Sequence, residues 1–268
     1  MSYRLRSESA ANGPWQNDGV ARLIRPLTRQ CTVELLDAPV HDPAELAANL
    51  RDIRRFNRRF GGVAPVLHHL PSLLANVPAD REAVVLDLAT GSGDIPRAVL
   101  RWAGRHGRQM HVVASDVSEE ILTIAARELA GVPGVTLARY DARAVPLPDG
   151  SADVVLCSLA LHHFPPNEAV AVLREMDRLG HAGFIVNDLA RGRAGYAGAW
   201  LAAHALTRNR LTRHDGPLSV LRAYTPDELT ALLAQAGIRG ATVHRHPWFR
   251  MAAVRVGDGG WGWGTGDG

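Results

Sequence analysis

Val84-Val-Leu-Asp-Leu-Ala-Thr-Gly-Ser-Gly-Asp94 joins a short, nearly all-apolar run to a Gly-x-Gly turn, and Pro96 to Arg105 then reads as a helix. Such a run fits a strand buried on both faces of a parallel sheet. The glycines let the backbone approach a ligand where a Cβ would clash. Outward from this point the alternation recurs. Strands are predicted at 111–115, 135–139, 153–158 and 183–187, with helices at 118–130, 167–179 and around 194–210. Thr225-Pro-Asp-Glu228 is a capping box that opens a helix over 226–236. Two last strands, near 241–246 and 249–256, are close enough to pair antiparallel. The pattern argues for one doubly wound α/β sheet. Upstream, Asp42 as N-cap, Pro43 in the first turn and Gly61-Gly62 as a stop predict a helix over 43–60, followed by a helical stretch over 63–76. The expected organisation is a flexible arm over 1–20, a helical cap or lid over 21–80, the sheet domain over 81–256, and a disordered Gly-rich tail over 257–268.

Composition narrows the function. The chain has 268 residues, 46% hydrophobic and 21% charged, ordinary for a folded domain with a core. No stretch approaches the ~18 apolar residues of a membrane span, and Met1 to Asn12 holds no apolar signal-peptide region. Cys31 and Cys157 are far apart, which gives no disulfide framework and points to a reducing cytoplasm. All 30 basic residues are arginine. Without lysine, Schiff-base chemistry and a lysine-dependent phosphate loop are excluded. Net charge is +3. Arg51, Arg54, Arg55, Arg58 and Arg59 read as a solvated helix face before they read as a nucleic-acid footprint. His68, His69, His244 and His246 lack carboxylates or thiolates at ligand spacing, so no metal is expected. The oligomeric state is left open, a homodimer included.

Two ligand classes use a Gly-x-Gly turn at the carboxyl end of a strand. Dinucleotides want a third glycine for close helix packing, and Pro96 stands there. Asp87 lies inside the strand, four residues before Gly91. A carboxylate there suits a cation bearing an amine or sulfonium better than a pyrophosphate, which points to S-adenosylmethionine. Asp116, 23 residues after Gly93 and at a strand end, can accept both ribose hydroxyls. Asp141 can accept an adenine amino group, and Ala142 can offer a backbone N–H to a ring nitrogen. Asp94 either complements the helix dipole or binds an amine.

Residues 84–94 resemble the first motif of class I S-adenosylmethionine-dependent methyltransferases, in wording similar to the ubiquinone/menaquinone-biosynthesis type and bacterial natural-product relatives. The resemblance continues in order through Val112-Val-Ala-Ser-Asp-Val-Ser118, Arg139-Tyr-Asp-Ala142, and Pro146 to Phe164 with its His162-His163 pair. It implies a Rossmann-like class I methyltransferase fold: a seven-stranded, mostly parallel sheet with an antiparallel last strand, plus an N-terminal helical cap. It implies S-adenosyl-L-methionine as cofactor, with contacts from Asp87, Ala89, Thr90, Gly91, Ser92, Gly93, Asp94, Asp116, Val117, Asp141, Ala142 and Ser158. His162 and His163 follow the fourth strand and face the methyl group as base or acceptor-orienting groups. Asp188, and His214 in an expected loop over 211–219, are further candidates.

Asn187 to Arg191 and the helical insert over 190–224 depart from the quinone-pathway pattern. The expected reaction is O- or C-methylation of a small aromatic or polyketide-like metabolite. Its pocket would lie between the N-terminal helices and the insert, whose Tyr196 and Trp200 suit an apolar acceptor. Asn57 and Arg58 would reach the methionine carboxylate. The absence of an Asn/Asp-Pro-Pro-Tyr sequence after the fourth strand disfavours methylation of base amino groups. The competing readings are an S-adenosylmethionine-binding protein with a non-methylating activity, an RNA methyltransferase, and, most distantly, a nicotinamide dehydrogenase.

Overall fold

The computed structural model describes residues 27–37 and 42–257. The expected arm over 1–20 and the tail beyond 257 lie outside the described residues. Helix α1 (Pro43–Arg59) starts as its sequence demands: Asp42 accepts from the amides of Ala44 and Glu45 at 2.9 and 2.8 Å, and Pro43 occupies the first turn. After α2 (Ala64–Leu74), strand and helix alternate: β1 (Ala83–Leu88), α3 (Asp94–Arg105), β2 (Met110–Asp116), α4 (Glu119–Glu128), β3 (Val135–Arg139), β4 (Ala152–Ser158), α5 (Pro166–Leu179) and β5 (Gly180–Leu189). The insert carries α6 (Arg193–Leu206) and α7 (Arg210–Arg222). The chain then closes with α8 (Pro226–Gln235), β6 (Thr242–His246) and β7 (Arg250–Val256). Both halves of the capping box at Thr225 and Glu228 are formed.

The strand order is β3-β2-β1-β4-β5-β7-β6. β1 pairs in parallel with both β2 and β4, and β7 is antiparallel to its neighbours β5 and β6. The order reverses at β1, so the carboxyl ends of β1 and β4 open a crevice between divergent connections. This is the seven-stranded, mostly parallel sheet with an antiparallel last strand that the motifs implied.

Successive strand residues point to opposite faces, and each face has its own core. On one side Val85, Val112, Leu156 and Ile185 meet Leu70 and Leu73 of α2 and Val99 of α3. On the other, Leu86, Val155, Phe184 and Met251 meet Leu173 and Met176 of α5 and Leu229 of α8. Each of these side chains is at most 1% exposed. At ~1.5–3 kcal/mol for each fully buried large apolar side chain, the two cores hold the strand tips rigidly.

One expectation is corrected here. The insert is not one helix near 194–210 followed by a loop over 211–219. Asn209 caps a second helix, its side chain accepting from Thr212 N at 3.0 Å, and α7 runs through Gly216 and Pro217 to Arg222. Burial of Leu211, Asp215 and Val220 overrides the two breakers. The segment 27–37 lies against α7, with the Leu35 and Leu36 amides donating to Asp215 at 2.8 and 2.9 Å. Among the described residues, no helix is long and apolar enough to cross a membrane.

Candidate active site

Between β1 and α3 the chain turns through left-handed backbone at Ala89 (φ 54°), Gly91 (φ 56°) and Gly93 (φ 76°). The two glycines are needed for different reasons. A Cβ on Gly93 would lie 2.6 Å from Leu129 Cδ1, whereas one on Gly91 would meet nothing within 4 Å. The space beside Gly91 belongs to a cavity of about 1130 Å³. Sites for one small molecule run to ~300–1,000 Å³, so this one has room for two molecules side by side.

Part of the cavity lining is acidic. Asp87 is 1% exposed; its Oδ2 accepts from Thr90 Oγ1 at 2.6 Å, while its buried Oδ1 has no hydrogen-bond partner among the described residues. Burial, with Asp94 and Asp116 nearby, pushes its carboxyl up to about 7. Burial also raises Asp94, although Asn57 Nδ2 donates to its Oδ2 at 3.0 Å. Asp116, at the tip of β2, accepts from Gly91 N at 3.2 Å and Ser118 N at 3.1 Å, and burial raises it too. Three carboxyls are thus held where their charge is costly, and a bound cation would repay that cost. Ala89, Thr90, Gly91, Ser92, Val117 and Ser158 also line the cavity, and Ser158 Oγ is buried without a partner among the described residues.

Other candidates sit elsewhere. Gly93 packs behind the turn. Asp141 and Ala142 are not among the cavity residues: Arg143 holds the Asp141 carboxylate at 2.7 Å, which keeps its pKa low, and Ala142 is buried in the core. Arg143, not Asp141, borders the cavity. Arg58 is exposed and away from it. Besides Arg139 and Arg143, the guanidinium of Arg250 reaches the cavity. It is 5% exposed, donates to Phe60 O at 2.9 Å and to Asn57 Oδ1 at 3.4 Å, and its Nη1 has no partner among the described residues. Burial lowers its pKa to about 10, which leaves it charged at neutral pH. The other basic residues of α1 are partly engaged: Arg54 pairs with Glu128 and Arg55 with Asp52.

Another part of the lining is apolar: Ile53 and Phe56 of α1, with Gly195, Gly198, Ala199 and Ala202 of α6. The expected aromatic wall is corrected: Tyr196 and Trp200 are not cavity residues, and Trp200 is 48% exposed with its ring stacked on His204. Aromatic side chains also reach the lining from the β6–β7 turn, where Trp248 (φ 62°) and Phe249 (φ 56°) adopt left-handed backbone. Nothing in the sequence pattern marked them.

His162 and His163 also line the cavity. Asp188 is 1% exposed and not itself a cavity residue; its Oδ1 lies 2.7 Å from His162 Nδ1, and its Oδ2 accepts from His162 N at 2.9 Å. A carboxylate only accepts, so Nδ1 carries the proton, and in the neutral imidazole Nε2 keeps its lone pair. His163 Nδ1 pairs with Asp37 Oδ1 at 2.8 Å. Burial alone would raise Asp37 and lower His163; their mutual contact, with Arg222 on Asp37 and Glu34 beside His163, reverses both shifts. Glu34 and Asp37 have no sequence signal; the segment 27–37 is brought here by Arg29, whose Nη2 donates to Phe164 O at 2.9 Å and His162 O at 3.2 Å. His214 stays outside the cavity, 2.7 Å from Asp215.

Residues 85–183 match a family model described as a methyltransferase domain. A protein of Xanthomonas oryzae named ubiquinone/menaquinone biosynthesis C-methyltransferase is 35% identical over 105 residues, covering 38% of this chain and 38% of that protein. A 2-phytyl-1,4-naphtoquinone methyltransferase of Thermosynechococcus vestitus is 28% identical over 184 residues, 64% of this chain and 80% of that one. The crystal structure of an S-adenosylmethionine-dependent methyltransferase from Aquifex aeolicus is similar with a TM-score of 0.54 at 18% identity, over 80% of this chain and 98% of that one. The chain spans 38% of the length of the first curated relative it matches. Residues 85–183 are thus similar to a methyltransferase domain, and the chain shares the fold of the Aquifex aeolicus structure.

Proposed function

We propose that this chain is an S-adenosylmethionine-dependent methyltransferase that methylates an oxygen or carbon of a small aromatic or polyketide-like molecule. The observation that carries the reading is the buried carboxyl group of Asp87, unsatisfied at Oδ1, beside the Gly91 turn in a cavity with room for two molecules. A cation is the ligand such a floor favours. In this reading Asp116 takes the ribose hydroxyls. Asp87 and Asp94 face the ammonium and sulfonium end, and Arg250 meets the methionine carboxylate. The helices before residue 80 act as a lid, and the 190–224 insert supplies the acceptor wall. The quinone substrates named for the relatives favour an aromatic acceptor, which the apolar part of the lining suits.

Transfer breaks the S–CH3 bond and forms CH3–O or CH3–C, and the bonding pair returns to sulfur. The acceptor's proton must leave before or during attack. Holding the two reactants in line supplies much of the acceleration. His162 Nε2, with Asp188 fixing its tautomer, is placed to hold or take the acceptor's proton. The test is calorimetry with S-adenosylhomocysteine, followed by mass spectrometry of a panel of phenols, quinols and β-dicarbonyl compounds incubated with cofactor. Saturable binding and a mass gain of one methyl group are expected. Absence of binding would overturn the reading, and binding with no methylated product across the panel would favour a non-methylating activity.

A further inference from the structure

Among the described residues, one group of cavity side chains outside the acidic floor has ligand character: Glu34, His162 and His163. One ligand atom from each lies within 4.8 Å of the others. His162 Nε2 is 3.7 Å from Glu34 Oε1, and His163 Nε2 is 3.8 Å from Glu34 Oε2. These separations are too long for hydrogen bonds. The two run to different Glu34 oxygens, and the set of one atom from each residue lies within 4.8 Å, against the ~3.4 Å edge that ~2.1 Å bonds make in a tetrahedral site, so side-chain closure of up to about 1.4 Å would seat an ion.

Three features fit a cation. First, each imidazole has its Nδ1 on a carboxylate, Asp188 at 2.7 Å and Asp37 at 2.8 Å. That fixes both Nε2 atoms towards Glu34, and it is the outer-shell arrangement of metal-bound histidines. Second, charge is unbalanced. Glu34, Asp37 and Asp188 carry three negative charges, and Arg222, 2.8 Å from Asp37 and 3.8 Å from Glu34, supplies one positive. Without an ion the excess is met in part at His163, whose contacts with Glu34 and Asp37 favour its protonated form; with neutral ligating imidazoles the cluster is at minus two, which a divalent ion balances. Asp215, the next carboxylate, is satisfied by the Leu35 and Leu36 amides and His214. Third, all three ligands border the cavity, so the remaining coordination positions face the space assigned to the acceptor.

We propose that Glu34, His162 and His163 bind a divalent first-row transition cation, of the zinc, iron, manganese or cobalt class, whose open positions take an oxygen of the acceptor. Two imidazoles and a carboxylate suit these ions better than magnesium or calcium. The ion lowers the pKa of a bound hydroxyl or enol, whose proton leaves to solvent, and the resulting oxyanion or enolate is the nucleophile. The ion then replaces His162 as the activating group. The acceptor role rests on the methyltransferase reading; the ion site does not, and its test needs no turnover.

The probe is Co2+ added to the chelator-treated full chain, read by its visible absorption and by calorimetry. His69 Nε2 and His246 Nε2 lie 3.0 Å apart on the outer surface, so the titration uses a His69→Ala/His246→Ala background to remove that competitor. One equivalent is expected to bind saturably. Glu34→Gln and His163→Gln, shown to be folded by circular dichroism, are expected to weaken it by at least ~10–100-fold. The proposal is overturned if the background variant takes up no stoichiometric Co2+, as doubly protonated histidines would predict. It is equally overturned if both glutamine variants bind Co2+ as the background does. Neither result would touch S-adenosylhomocysteine binding, so the two readings fail separately.

Discussion

Replacing Asp116 by Asn tests the cofactor orientation with little change in volume. Each carboxylate oxygen already accepts one backbone N–H, from Gly91 at 3.2 Å and from Ser118 at 3.1 Å, and each keeps a second lone pair for a ribose hydroxyl. An asparagine retains one oxygen. Its amide nitrogen faces a donor on the protein side and a donor on the ligand side, so one ligand bond and the charge are lost together. Hydrogen bonds to charged groups are worth ~1.5–3 kcal/mol, which predicts a ~10–150-fold rise in Kd for Asp116→Asn. Asp116→Ala loses both bonds and is expected to weaken binding by ~10²–10⁴-fold. Calorimetry with S-adenosylhomocysteine at fixed pH and salt measures the effect, and thermal unfolding of the ligand-free variants isolates damage to the fold. A folded Asp116→Asn variant that binds within threefold of the parent would refute the ribose assignment.

The two glycines of the turn should separate. Gly91→Ala costs ~1–2 kcal/mol of stability from its left-handed backbone but intrudes on the ligand, whereas Gly93→Ala adds a clash with Leu129 and costs more stability; chemical denaturation and ligand titration on both variants read the contrast. Burial pushes the Asp87 carboxyl in the folded chain up to about 7, from the ordinary carboxylate value of 3.8. The stability it contributes is therefore full below that lower value and lost as pH rises through about 7. Asp87→Asn should accordingly raise the unfolding midpoint of the ligand-free chain most at pH 8, by less at pH 5, and leave it nearly unchanged only below the ordinary carboxylate value of 3.8. For the same reason, S-adenosylmethionine binding near pH 7 should release protons in the parent and fewer in Asp87→Asn, measurable by calorimetry in buffers of different ionisation heat. Gly198→Leu on the apolar wall should raise helix stability by up to ~1 kcal/mol and leave S-adenosylhomocysteine affinity unchanged, while acceptor turnover collapses; unchanged turnover would remove α6 from the acceptor site.

The sheet was legible because buried parallel strands read as apolar runs and their turns carry glycine and capping residues. The start of β5 was less so. It begins at Gly180, directly from α5, and passes through Gly183 at φ 125°, where a Cβ would collide with Arg255 O. α7 was hidden because Gly216-Pro217 carries a local loop signal that tertiary burial outweighs. In the site, the residues on the β1 turn and at the β2 tip could be read from spacing, since strand ends fix them. Asp141 could not: its fate depends on Arg143, two residues on, whose guanidinium takes the carboxylate. Glu34, Asp37 and Arg250 reach the cavity only through long-range packing, and neither periodicity nor a local motif announces such contacts.

The central claim is that one cavity takes the nucleoside at the Asp116 end and the acceptor at the α6 end, with the two histidines between. A crystal structure with S-adenosylhomocysteine, grown at saturating ligand, tests it most directly. The ribose should lie on Asp116 and the thioether sulfur beside the Gly91 turn, facing His162 and His163. Ligand density away from the Asp87–Asp116 floor, or a nucleoside lying instead against Ala199 and Phe56, would contradict it.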